Sequence, residues 1–281
     1  MSPTDKRVER DGWSLTLALP APVQARRDRL IEFVVAAADG RIVAPMRRSR
    51  HARTFQTQFV AGTSMPISLF VKVIEQFGGL KRLKRILRGS PARHVARVTA
   101  QLAAAGFNAP SVWMHGHEMA SGRELLVTPR ADGNGPLNTL AGLVGAVAAK
   151  RAMLRALGAE IARLHRAGFV HGDLTPFNIF IVRGEPPRFV LLDHERTRQS
   201  CIFGRTRRQL RNLVQLSRFN LPGLSRSDRL RTLDAYARAA GSRDPRALAR
   251  RLNAMLERRI RRDGGLQEVT PPSIIPWDAN P

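Results

Sequence analysis

The sequence predicts an α+β chain made of two unlike parts. Before about residue 128, short β-branched and aromatic runs recur between turn signals. After it, long stretches carry apolar residues at helical spacing. Between them, residues 129–136 are rich in Gly, Pro and Asp and read as a linker. The expected domains are therefore residues 1–128, a β-rich first domain with an N-terminal extension, and residues 129–281, a helical second domain.

Within the first domain, residues 20–38 read as an amphipathic helix with Leu30, Phe33, Val34 and Ala37 on one face. Residues 54–60 alternate and are β-branched, and residues 69–74 form a second strand signal. Ala61-Gly62-Thr63-Ser64 reads as the turn between them, so a small antiparallel sheet is expected. A basic stretch, residues 81–97, leads into a helix that ends near Gly106 as a C-terminal cap. Residues 110–127 hold two further short strands. They include His115-Gly116-His117, read as loop histidines because no third metal ligand lies near. In the second domain residues 140–167 lack Pro and read as one helix.

Composition narrows the function. The chain has 281 residues, 43% hydrophobic, enough for a sizeable core. Its one cysteine, Cys201, excludes an internal disulfide and a cysteine-based metal site and points to a reducing compartment. No apolar run approaches the roughly 20 residues of a membrane span, and the N-terminus has no apolar segment behind a basic start. A cytoplasmic protein is expected. The net charge of +25 favours polyanionic partners, although an Arg- and Ala-rich composition contributes to the excess. Between Arg196 and Arg262 there are 19 Arg against four acidic residues, which favours an anion-binding face over a merely solvated one.

The chemistry concentrates in residues 169–193. His171-Gly172-Asp173 opens a tight loop, Pro176 fixes one of its backbone angles, and Asn178 closes it. Two apolar runs, residues 179–182 and 189–192, flank a Gly-Pro turn and form a hairpin with Asp193 at its far end. Two carboxylates and an amide then converge on one polar site, and oxygen ligands of this kind suit Mg²⁺.

His-x-Asp-x-x-x-x-Asn, a hairpin and a further Asp about 20 residues on resemble the catalytic and metal-binding loops of protein kinases and their relatives. The resemblance implies a bilobal protein-kinase-like fold with ATP and Mg²⁺ as cofactors. Asp173 would accept or orient the substrate hydroxyl, and Asn178 and Asp193 would hold metal. Lys72, in the apolar strand Leu69-Phe70-Val71-Lys72-Val73, stands where the kinase strand lysine belongs and would bind nucleotide phosphate. Gly172 replaces the Arg of His-Arg-Asp, Thr175 replaces a common Lys, and His194-Glu195 replaces Phe-Gly. These departures point away from regulated protein kinases. No Gly-x-Gly-x-x-Gly is present, and the helix expected to supply an acidic partner for Lys72 contains no acidic residue.

Several segments are similar to the lipopolysaccharide core kinase family, which phosphorylates Kdo or heptose. They are Arg47-Arg48-Ser49-Arg50-His51, Leu80-Lys81-Arg82-Leu83-Lys84-Arg85, Ser90-Pro91-Ala92-Arg93, Arg207-Arg208-Gln209-Leu210-Arg211-Asn212-Leu213 and Leu233-Asp234-Ala235-Tyr236. This resemblance implies an ATP-dependent kinase acting on a sugar hydroxyl of the lipopolysaccharide inner core. Its partners would be ATP, an anionic glycolipid and an anionic membrane surface rather than nucleic acid. The alternatives are a soluble kinase of the aminoglycoside or choline type, whose cationic acceptors the positive charge disfavours, and a non-catalytic, basic, nucleic-acid-binding kinase-like protein.

Overall fold

Asp11 and Gly12 both adopt positive φ (46° and 79°), the pair of left-handed residues that a two-residue hairpin turn requires. They join β1 (Lys6–Arg10) to β2 (Trp13–Leu17). This hairpin was not among the sequence expectations, although Asp-Gly is its ordinary signal. The structure is a computed structural model and describes residues 6–49, 51–60, 65–75, 89–199 and 205–269. The turn expected at 61–64, the basic residues 81–88 and Cys201 lie outside the described residues.

The chain divides into two units: Met1–Ala104 with Ala109–Ala131, and Ala105–Asn108 with Asp132–Pro281. The first is built on a seven-stranded antiparallel sheet. Its other strands are β3 (Arg47–Arg48), β4 (Ala52–Phe59), β5 (Ile67–Ile74), β6 (Met114–Glu118) and β7 (Glu124–Pro129), in the order β1-β2-β6-β7-β5-β4-β3. The two strands expected at 54–60 and 69–74 are present and pair over their whole length, Ala52 opposite Ile74 and Phe59 opposite Ile67.

Strand alternation sends Phe55, Leu69, Val71, Val73, Leu125 and Val127 to one face. The helix expected over 20–38 is two pieces, α1 (Ala21–Gln24) and α2 (Arg27–Ala38), because Arg26 leaves the helical region (φ −118°, ψ 21°). Leu30, Ile31, Val34 and Val35 of α2 join that apolar face, with Trp13 and Leu15. Phe33 is only half-buried. On the opposite face, α3 (Pro91–Ala104) packs Ala92 and Val95 against Leu126. Glu124 is buried and its Oε2 accepts from Ser90 Oγ and the Ala92 N–H, both at 2.8 Å, which holds the start of α3 to the sheet. His115 and His117 lie within β6, not in a loop, because β2 and β7 pair with this segment on both sides.

The second unit is mainly helical: α4 (Pro136–Ala141), α5 (Val147–Arg166), α6 (Arg205–Ser217), α7 (Arg226–Ala239) and α8 (Pro245–Asp263). The single helix expected over 140–167 is interrupted where Gly145 takes φ +81°. Helices α5 and α7 approach closely at Gly158, where a Cβ would stand 2.2 Å from the Thr232 carbonyl oxygen. Lower on the same pair His165 Nδ1 meets the hydroxyl of Tyr236 at 2.9 Å. Two short strands follow α5: β8 (Phe169–Val170), which pairs with β11 (Arg198–Gln199), and β9 (Ile179–Val182), which forms a hairpin with β10 (Arg188–Leu191). Near the C-terminal end β12 (Phe219–Asn220) pairs in parallel with β13 (Gln267–Glu268). An apolar cavity lies within this unit, lined among others by Leu154, Ile161, Ile179, Leu213 and Leu221.

Candidate active site

The loop between β8 and β9 is held from several sides. His171 is fully buried; its Nε2–H donates to the Leu192 carbonyl at 2.8 Å and its backbone N–H donates to Asn212 Oδ1 at 3.1 Å. Its carbonyl accepts from the Thr197 hydroxyl at 3.0 Å. Burial lowers the His171 pKa, against the opposing effects of the Leu192 hydrogen bond and the charges of Asp193 and Asp173. A neutral ring that donates through Nε2 braces the loop rather than serving as a base. The ring of His194 packs 5.1 Å from it, and His194 Nε2–H donates to the Leu191 carbonyl at 2.9 Å. The residue in the kinase Phe position is thus a buried anchor beneath Asp193.

Gly172 explains why this sequence reads His-Gly-Asp. Its φ is +78°, and a Cβ there would stand 2.3 Å from the Arg196 carbonyl oxygen. No side chain fits between the loop and the segment after β10.

Asp173 is half-buried. Its carbonyl accepts from the Thr175 N–H and from Asn178 Nδ2, both at 2.8 Å. Pro176–Asn178 form a 3₁₀ turn with Pro at its first position, where a missing N–H costs nothing. Because the Asn178 amide NH₂ is bound inside the loop, its Oδ1 lone pairs are left as the acceptor end. The Leu192 N–H donates to the Asn178 carbonyl at 2.9 Å, so the hairpin sets Asn178 beside the residue preceding Asp193. Asp193 is exposed and left-handed (φ 57°, ψ 71°), a conformation that Asp tolerates better than most residues. One carboxylate and one amide oxygen form a donor set that fits a hard divalent cation completing its shell with water and phosphate.

Two residues of α6 hold this loop, and sequence reasoning gave neither a role. Asn212, almost fully buried, accepts from His171 as above. One turn on, Gln215 Nε2 donates to the Gly172 carbonyl at 3.0 Å and lies 3.4 Å from Asp173 Oδ1. Its Oε1 accepts from the Leu174 N–H at 3.2 Å. The available signal was an Asn and a Gln three apart on a helix that also carries Leu210, Leu213 and Val214 toward the core.

Asp173, Asn178 and Asp193 are thus gathered within the second unit, while Lys72 belongs to the first. Lys72 is half-buried on β5, an interior strand flanked by Thr54 of β4 and Leu126 of β7, so it is not a lysine on a solvent-facing edge. Ile74 pairs with Glu124, which puts Glu124 on the same face as Lys72 at a diagonal position.

A β-sheet unit with an interior-strand lysine, followed by a helical unit with an Asp–Asn loop and a hairpin ending in Asp, defines a protein-kinase-like fold. The solved structure of WaaP in complex with acyl carrier protein is similar, with a TM-score of 0.60 and 23% identity over 86% of this chain and 97% of that one. The bifunctional kinase-methyltransferase WbdD matches with a TM-score of 0.43 and 18% identity, over 89% of this chain and 53% of that one. Sequence comparison with curated proteins found no match. The chain belongs to the lipopolysaccharide kinase (Kdo/WaaP) family, whose model matches residues 82–236, more than half its length. It is an ATP-using phosphotransferase of lipopolysaccharide. Among the described residues no helix is long and apolar enough to cross a membrane.

Proposed function

We propose that the second unit's loop orients a sugar hydroxyl of the lipopolysaccharide inner core for phosphorylation by Mg²⁺-ATP. The observation that supports this is the closing of the loop by Asn178. Its side-chain amide donates to the Asp173 carbonyl, and its backbone carbonyl accepts from the N–H of Leu192, the residue before Asp193. Asp173 holds the acceptor hydroxyl and takes its proton. Asn178 and Asp193 hold the divalent ion, which when bound neutralises charge on the transferred phosphoryl group. Lys72 binds nucleotide phosphate. Glu124, one diagonal step away on the same sheet face, is the acid that takes the place of the missing helix carboxylate.

Phosphoryl transfer asks a protein mainly for positioning and charge, and a loop tied down by His171, Asn212 and Gln215 supplies the first. The excess of arginine from Arg196 to Arg262 supports contact with an anionic membrane surface. The expected signature is salt-sensitive binding to anionic and not to zwitterionic liposomes.

The deciding measurement is transfer of labelled γ-phosphate from ATP to purified core oligosaccharide. Wild type labels the acceptor; Asp173→Ala binds ATP and labels nothing. Labelling at the wild-type rate by Asp173→Ala removes Asp173 from the mechanism. Labelling of a small amino alcohol in preference to the oligosaccharide replaces the acceptor class.

The apolar cavity of the second unit favours one further reading of partners. Its lining suits an alkyl chain, and the related WaaP structure was solved with acyl carrier protein. Copurification of an acylated, but not an unacylated, carrier protein with this chain tests it.

A further inference from the structure

Immediately after the helix that clamps the catalytic loop stands an arginine for which the fold gives little compensation. Gln215 reaches Asp173 Oδ1, and Arg218 follows three residues later, just past the helix end, its N–H donating to the Val214 carbonyl at 3.1 Å. The Arg218 guanidinium packs over the ring of Phe219 at 4.8 Å. Phe219 makes edge contact at 5.3 Å with Phe177, which lies between Asp173 and Asn178 in the loop. The Arg218 carbonyl accepts from Gln267 N–H at 3.0 Å, fixing it to the segment after α8.

From α8, Arg259 and Arg262 converge on the same place. All three arginines share one carboxylate, Asp263. Arg259 Nε is hydrogen-bonded to it at 2.5 Å, Arg262 Nε lies at 3.6 Å, and Arg218 Nη1 at 3.7 Å is an ion pair without a hydrogen bond. Arg218 Nε is buried and has no hydrogen-bond partner among the described residues. Burial and the like charge of Arg259 push the Arg218 pKa down, and Asp263 and Asp173 pull against them. Arg218 thus keeps one buried donor, Nε, without a hydrogen-bond partner among the described residues, and shares its one carboxylate with two other arginines. Guanidinium donors of this kind match a planar or tetrahedral oxyanion better than water.

We infer that Arg218, Arg259 and Arg262 form an acceptor subsite beside Asp173 that binds an oxyanion of the substrate, a carboxylate or a phosphate near the hydroxyl to be phosphorylated. The inference rests on the reading of Asp173 as the acceptor-facing carboxylate. It gives the positive charge a local purpose: the anion anchors the sugar and leaves its hydroxyl to Asp173.

Binding is measured without turnover, by following the arginine Nε–H resonances of the full-length protein. The probes are Kdo for a carboxylate, glucose 6-phosphate for a phosphate, and galactose as the uncharged control. The expected result is a saturable shift of the Arg218 signal with Kdo or with glucose 6-phosphate and none with galactose. A response to only one of the two assigns the anion's source. Because Arg218→Gln removes packing on Phe219 and can disturb the fold, the double variant Arg259→Gln/Arg262→Gln, at a half-buried and an exposed position of α8, carries the test. It weakens probe binding, and raises the KM for a core-oligosaccharide acceptor, by about tenfold or more, without a matching rise in the KM for ATP. The Arg259→Lys/Arg262→Lys protein recovers part of the loss. No shift with either anion, or equal shifts with galactose, overturns the inference. So does wild-type affinity in the double glutamine variant. A protein that binds the anion here yet transfers no phosphate upholds the subsite and refutes the kinase reading. Full transfer by the double variant at an unchanged acceptor KM does the reverse.

Discussion

Asn178 donates its side-chain amide to the Asp173 carbonyl at 2.8 Å and so closes the loop, and the proposed mechanism gives its oxygen a second task at the metal. Asp193 holds a left-handed backbone, and the role proposed for it is at the metal. The two residues should therefore fail differently. Asp193→Gly relieves a conformation costing about 1 kcal/mol, so the protein melts higher and loses activity. Asn178→Ala melts lower, by about 1 kcal/mol of stability. Asp193→Ala raises the magnesium concentration needed for nucleotide binding more than Asn178→Ala does, because it removes a formal charge. Magnesium titration of bound nucleotide and thermal melts check all three. An unchanged metal requirement in Asp193→Ala ends its assignment as a ligand.

Gln215 makes three contacts with the loop, one of them to Asp173 Oδ1, and acts through Asp173, so it is a positioning residue. Gln215→Ala is expected to lower kcat about tenfold, the worth of a hydrogen bond or two, while the KM for ATP stays near wild type. Steady-state kinetics with ATP as the varied substrate separates this from a general loss of fold, which lowers the active fraction and leaves kcat per active site intact.

Gly172 has no room for a methyl group and lies in the left-handed region. Gly172→Ala should destabilise by roughly 3 kcal/mol, combining the backbone penalty with overpacking against Arg196. Arginine there, as in regulated protein kinases, should be at least as costly. Urea unfolding gives the number, and a stable, active Gly172→Arg protein contradicts the geometry.

Lys72 sits on an interior strand, half-buried. Lys72→Met keeps the apolar stem and removes the charge. It should retain the fold by circular dichroism and lose most phosphoryl transfer, with weaker ATP binding. Wild-type rates would make this lysine structural.

Asp228 closes a capping box at the start of α7 with Ser225, and its carboxylate also meets Lys150 and Arg231, each at 2.9 Å. Burial acts to raise its pKa, but the hydrogen bonds from Lys150 and Ser225 and the charge of Lys150 outweigh it and lower the value to about 2. A carboxylate whose folded pKa is depressed contributes stability that is complete above its unfolded pKa, near 4, and is lost as pH falls toward 2. Asp228→Ala should thus cost about 1–2 kcal/mol at neutral pH, and the gap from wild type should narrow below pH 4. Denaturant unfolding at pH 7, 5 and 3.5 follows it; a gap independent of pH would assign the effect to packing alone.

The sequence by itself determined the α+β class, the β4–β5 pairing and the catalytic hairpin, because each rests on a local pattern. Strand alternation at 54–59, two apolar runs around a Gly-Pro turn and the 173–178–193 spacing are written in consecutive residues. It did not reveal the β1–β2 hairpin, whose strands are short and polar on one face and become recognisable only when β6 pairs with Trp13–Leu17. The breaks at Arg26 and Gly145 were likewise hidden, since apolar periodicity persists across both. What only the tertiary structure decided is how the site is held. Asn212 and Gln215 lie about forty residues from the loop they bind, and Arg259 and Arg262 about forty from Arg218. No local spacing relates such residues. Their meeting is fixed by helices that pack through their apolar faces, and the polar side chains on the remaining faces acquire their roles from that packing.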